Sequence, residues 1–133
     1  MAIKIKPKSF GPVFVSIDEA RTVRYGTSVD SVTQVAPPVA SPADCLLFSL
    51  ASCVAISLQM AAEQEHMVLA PFQLEATSRK AEDLPSRFGS FEVTVPRSIT
   101  KDKATCEKLL EKAKRICTVS NTLNAEIEVR LSE

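Results

Sequence analysis

The stretch SPADCLLFSLASCVAISLQMAA, residues 41–62, carries 18 consecutive uncharged residues from Cys45 to Ala62. Its first residues are a helix start. Ser41 can cap, Pro42 suits the first helical position, and Asp44 stands three residues after Ser41 as in a capping box. Asp44 also lies at the positive end of the helix dipole. The pattern predicts a helix from Ser41 to about His66. Its apolar run approaches the minimum for crossing a bilayer, roughly 18 residues. Ser49, Ser52, Ser57 and Gln59 dilute that run, however, and its flanks are Asp44, Glu63 and Glu65 rather than basic anchors. A helix buried on nearly all sides by its own protein is the better reading. A chain of 133 residues has difficulty surrounding such a helix alone. The sequence therefore predicts a dimer that buries this helix at or near its interface.

The remaining segments supply layers to cover it. AIKIK (residues 2–6) alternates as a strand does, and PVFVSID (12–18) is a second extended run. The segment 20–35 is weaker, with Gly26 suggesting a turn, and APPVASP with its three prolines is a loop. FQLEATS (72–78) and SFEVTVP (90–96) read as strands joined by the charged loop RKAEDLPSR. Residues 101–116 form a second, amphipathic helix, in which Cys106, Leu109, Leu110, Ala113, Ile116 and Cys117 recur at offsets of 0, 3, 4, 7, 10 and 11. AEIEVRL (125–131) alternates as a last strand. Strands, buried helix, strands, amphipathic helix and strand make an α+β domain with antiparallel pairing, and residues 1–133 read as one domain.

Composition limits the functional classes. Sixteen basic and sixteen acidic side chains cancel, which argues against a nucleic-acid or acidic-membrane partner. With no Trp and one Tyr there is no aromatic platform for single-stranded nucleic acid. The segment MAIKIKPKSF lacks the apolar core of a secretory signal, so the expected location is the cytoplasm, where thiols stay reduced.

Four cysteines then invite chemistry. Zinc draws ligands in close pairs, whereas the closest cysteines here are eight and eleven residues apart and His66 is the single histidine. No metal and no cofactor are expected, and His66 reads as a solvated helix-end residue favoured by the dipole. Cys45 and Cys106 read as small apolar filling. Cys117 ends one helix and opens CTVSNTL, where a short turn would offer N–H groups to a thiolate; that reading stands beside the simpler one in which Cys117 completes the apolar stripe. Cys53 lies mid-helix, about 80° around the axis from Cys45. Burial there raises a thiol's pKa, so a nucleophilic Cys53 needs a cationic or hydrogen-bonding neighbour from elsewhere in the fold.

Two stretches together resemble the OsmC/Ohr family. SPADCLLFSLASCVAISL is similar to the family's central-helix signature of a proline, an acidic residue, an apolar run and a cysteine, here Pro42, Asp44, Leu46–Ser52 and Cys53. AKRICTVSNTL is similar to its second-cysteine motif, with Cys117 and Ser120 in place and Thr118 where proline is usual. The motifs lie 64 residues apart with a β-β-α pattern between them. The resemblance implies antiparallel sheets around a long central helix, an intertwined homodimer, and a thiol-dependent peroxidase acting on organic hydroperoxides or hydrogen peroxide. It implies that Cys53 attacks the peroxide and becomes a sulfenic acid, that Cys117 resolves it as a disulfide, and that an external dithiol reduces the pair. The best-studied members activate the first cysteine with an arginine and a glutamate. The glutamate position is Ala43 here, Asp44 matches the acidic position of a less characterised branch, and Arg21 and Arg24 are the available N-terminal arginines. The alternative is an OsmC-like, stress-associated or small-ligand-binding dimer without peroxidase activity. A third reading makes all four thiols core filling.

Overall fold

In the computed structural model, Ser41 caps the long helix as the sequence requires: its Oγ accepts the Asp44 N–H at 3.2 Å, and Pro42 opens the first turn. The structure describes residues 9–38 and 41–132; the strand expected at AIKIK lies outside them. Helix α1 (Pro42–Gln64) stops two residues after its apolar run ends at Ala62. His66 enters the left-handed region (φ 56°), its N–H bonds the Glu63 carbonyl, and the Met67 N–H returns to that of Ala62. This is a Schellman closure with His in the position glycine usually takes.

Strands β1 (Ser9–Ile17), β2 (Val23–Gly26), β3 (Phe72–Lys80), β4 (Phe88–Val95) and β5 (Glu126–Leu131) form one sheet in the order β2-β1-β3-β4-β5. The predicted strands at 12–18, 72–78, 90–96 and 125–131 all occur, with ends moved by a few residues. The weak segment 20–35 keeps only β2 and a Tyr25–Gln34 bridge. Gly26 ends β2 where the chain folds back so closely that an added Cβ would overlap the Ser31 backbone. The sheet buries Val13, Val15, Ile17, Leu74, Ala76, Phe91, Val93, Val95 and Val129 in one core with α1 and α2, and Val15–Leu74, Ala76–Val93 and Val93–Val129 are direct cross-strand neighbours.

One expectation is corrected. The pairs β1–β2, β1–β3 and β3–β4 are antiparallel, but β4 and β5 run parallel. Between them the chain passes a 3-10 turn (Arg97–Ile99), helix α2 (Lys103–Ile116) and a short helix α3 (Thr118–Thr122). That helical crossover carries it back to the end of the sheet where β4 began, so the next strand repeats its direction. Helix α2 begins two residues later than expected because Asp102 is its cap, accepting the Thr105 N–H at 2.8 Å and its hydroxyl at 2.8 Å.

The burial of α1 also differs from the all-round burial expected. Ten of its residues are buried. Cys45, Ser49, Ile56, Met60 and Glu63, on one side of the helix, are exposed, with Ile56 and Met60 at 44% and 43%. Relative to Cys45 these positions fall within about 60° of one another at 100° per residue. Cys45 is thus on the uncovered face and is not core filling.

Two outcomes follow from this packing. Phe48 is fully buried, with its ring 5.9 Å from that of Tyr25 and near-perpendicular to it; Phe48→Ala will cost about 3–5 kcal/mol in urea unfolding. The Thr105 donors hold the Asp102 carboxyl below its ordinary value of 3.8. The stability this confers is present above that value and lost as pH falls through the lower folded-state value. Asp102→Ala will therefore lower Tm at neutral pH, and the gap to the unaltered protein will narrow in thermal melts taken below pH 3.8.

Candidate active site

The apolar stripe of α2 ends at Cys117, and the backbone there turns. Cys117 closes α2, donating its N–H to the Ala113 carbonyl at 2.8 Å, and opens α3, its carbonyl accepting the Asn121 N–H at 3.1 Å. With φ −67° and ψ 101° it belongs to neither helix. The Ser120 hydroxyl donates to the Cys117 carbonyl at 3.2 Å, and Asn121 Nδ2 donates to the Arg115 carbonyl at 3.1 Å, so the kink is held from both sides. This kink brings α3 against α1.

Cys53 and Cys117, 64 residues apart in the chain, are neighbours there, their side chains within hydrogen-bonding reach of one another. They differ in exposure. Cys117 is buried at 1% and Cys53 is partly exposed, on the flank of the uncovered face of α1. Burial pushes the Cys117 thiol up; the Ser120 hydroxyl and N–H oppose this, and Cys53 adds to the rise. The thiolate-stabilising turn weighed from the sequence is therefore present but outweighed by desolvation. All four cysteines are thiols. Cys106 is fully buried, its sulfur 2.8 Å from Thr100 Oγ1 and donating to the Arg97 carbonyl at 3.3 Å, which ties the 3-10 turn to α2.

The candidate activators are engaged elsewhere within the chain. Arg24 Nε bonds Asp18 Oδ2 at 3.3 Å. Arg21, in the left-handed region at φ 63°, sends Nη1 to the Leu69 carbonyl at 3.0 Å and to Gln59 Oε1 at 3.4 Å. No local signal marks Gln59 as a partner, because the contact joins a hairpin to a helix 38 residues away. Asp44 is half-buried in the first turn, and Ala43 offers no acid. Ser120 lines a cavity of about 280 Å³ together with Lys114, Asn121, Ala125, Ile127 and Val129. A larger one, about 510 Å³, lies between Met67–Ala70 and Ser98–Thr105 and includes neither thiol. Two adjoining thiols, one reachable and one sequestered, can give up two electrons and become a disulfide.

Comparison with known proteins agrees with this architecture. Among curated proteins none matches the chain significantly. An organic hydroperoxide resistance protein, OsmC, from Legionella pneumophila superposes with a TM-score of 0.63 at 14% identity, covering 100% of this chain and 98% of that one. The organic hydroperoxide resistance protein OhrB of Bacillus subtilis gives 0.58 at 13% identity, covering 96% and 98%. An osmotic-stress-induced and detoxification-response protein from Psychrobacter arcticus gives 0.58 at 21% identity, covering 98% and 96%. At such identities the likeness is one of fold. Residues 38–132 match the model of the OsmC-like protein family, and the chain belongs to that family.

Proposed function

We propose that this protein is a thiol-dependent peroxidase for organic hydroperoxides or hydrogen peroxide, with Cys53 as the peroxide-reacting residue and Cys117 as its resolving partner. The observation that carries this reading is the adjacency of a partly exposed thiol on α1 and a buried thiol at the junction of α2 and α3. In the reaction the Cys53 thiol ionises, its thiolate attacks the O–H oxygen of the peroxide, the O–O bond breaks, and the leaving alkoxide or hydroxide takes up the proton the thiol gave and departs as alcohol or water while Cys53 becomes a sulfenic acid. The Cys117 sulfur then attacks Cys53 Sγ, the S–O bond breaks, and water leaves as the disulfide forms. An external dithiol returns both thiols. The apolar residues one turn from Cys53 on α1, buried Leu50 and exposed Ile56, suit a hydrophobic peroxide. The cycle fits a compartment such as the cytoplasm that keeps thiols reduced.

The reading includes a homodimer that covers the exposed stripe of Ile56 and Met60 on α1. Cys53 lies about 60° from Ile56 around the helix, on the border of that stripe.

A second reading has specific support: Ala43 stands at the usual glutamate position, and Arg21 and Arg24 are both held by other groups. On that reading the protein is a catalytically altered OsmC-like dimer that binds a small ligand. One equivalent of cumene hydroperoxide separates the two. The peroxidase will lose two hydrogens by mass, mapped to a Cys53–Cys117 disulfide. Cys53→Ser will drop hydroperoxide turnover to the background rate, and Cys117→Ser will accumulate a Cys53 sulfenic acid trappable by dimedone. Full turnover by Cys53→Ser would sink the peroxidase reading. For the dimer, light scattering at micromolar concentration will give twice the 14.5 kDa chain mass, and Ile56→Asp with Met60→Asp will give the monomer.

A further inference from the structure

We propose that Ser120 is a positioning residue for the reductive half of the cycle: the external dithiol attacks the Cys53 sulfur, Cys117 is the sulfur that leaves, and the Ser120 hydroxyl supports it as it departs. This rests on Cys53 and Cys117 acting as a redox pair. Access sets the direction. A thiolate must approach a disulfide along the S–S axis from the side opposite the leaving sulfur, and the rate depends on which sulfur can be reached. Cys117 is 1% exposed and enclosed where α1, α2 and α3 meet, whereas Cys53 is partly exposed. Attack is thus confined to Cys53.

Confinement creates a difficulty that Ser120 addresses. A buried sulfur is a poor leaving group, because its thiolate forms away from water. Ser120 Oγ lies 3.2 Å from the Cys117 carbonyl, and the same hydroxyl also interacts with the Cys117 sulfur. Rotation of one O–H bond moves its hydrogen from carbonyl to thiolate as the charge appears. Ser120 further lines the cavity of about 280 Å³ beside Lys114 and Asn121. A proton from water in that cavity can therefore reach the enclosed sulfur through the hydroxyl. The step balances as follows. One reductant thiolate forms an S–S bond to Cys53, the Cys53–Cys117 bond breaks, and its electron pair stays on Cys117, which then takes the proton. The second reductant thiol attacks its partner sulfur in the mixed disulfide, closes the reductant's own disulfide and releases Cys53. The protein gains two electrons and two protons, and the dithiol loses the same.

The test starts from the disulfide made with diamide, so that it does not depend on peroxide chemistry. Exposure to 2-mercaptoethanol, acid quenching and peptide mapping will place the mixed disulfide on Cys53 at least tenfold over Cys117. Reduction by dithiothreitol will slow about tenfold in Ser120→Ala, the size of one hydrogen bond to a charged group, and Ser120→Thr will restore it to within about threefold. In reduced Ser120→Ala, the pH midpoint for alkylation of Cys117 will move upward, which a purely structural loss would not produce alone. An adduct on Cys117, or Ser120→Ala reduced at the unaltered rate, would overturn the inference. If Ser120→Ala does not fold, the adduct site in the unaltered protein still decides. A disulfide that diamide forms and hydroperoxide does not would refute the peroxidase reading and leave this inference standing; failure of diamide to form it would refute this inference.

Discussion

A helix that is apolar on nearly every side has to be covered, and the covering of α1 organises everything else in this fold. The sheet takes one side, through Val13, Val15, Leu74, Ala76, Val93 and their neighbours. Helix α2 takes another, offering Cys106, Leu109, Leu110 and Ala113. For α2 to lie there, the chain has to leave the sheet after β4 and return beside it, which makes the β4–β5 pair parallel. The kink at Cys117 and the short α3 are what remains of that return once the α2 stripe is used up. The site is therefore a product of the covering problem: Cys117 meets Cys53 because α2 and α3 must close over α1.

The same burial sets the electrostatics. Sequestering Cys117 raises its thiol, and Ser120 only partly offsets this. Among the described residues the ion pairs are partly or largely exposed, including Lys112–Glu65 at 2.8 Å, which links α2 to the end of α1. Pairs of this kind each contribute little in water, so stability comes from apolar packing and capping. Lys112 does hold the Glu65 carboxyl below its ordinary range, a consequence of the fold rather than a support of it.

Much of this was legible in the sequence because its signals are local. The Ser41–Pro42–Asp44 start, the α2 stripe and the alternation of AEIEVRL depend only on neighbouring residues, and each matches an element. The pair Cys53–Cys117 was legible only through resemblance, since no local rule links residues 64 apart. What escaped was non-local. The parallel direction of β5 depends on where a crossover ends. The exposure of Cys45 depends on which side of α1 the sheet occupies, and periodicity cannot register that in a helix apolar all round. The Arg21–Gln59 contact depends on a turn whose left-handed residue is an arginine.

On the peroxidase reading, that last contact links activation to assembly. Arg21 sits in the left-handed region, a conformation that costs a non-glycine residue about 1 kcal/mol or more. The turn around it is held by the Asp18 carboxylate accepting the Thr22 N–H at 2.8 Å and by the Arg21 N–H on the Asp18 carbonyl at 3.0 Å. From there its guanidinium reaches Gln59, six residues and about 9 Å along α1 from Cys53 at 1.5 Å per residue. Gln59 borders the stripe of Ile56 and Met60 that a second copy would cover in the proposed dimer. Within one chain, then, the cation lies at the edge of the uncovered face rather than at the thiol. On the peroxidase reading, activating Cys53 requires either that Arg21 exchange Gln59 and Leu69 for the thiolate or that the covering subunit supply the charge. Both routes pass through the one surface of α1 that the monomer leaves open.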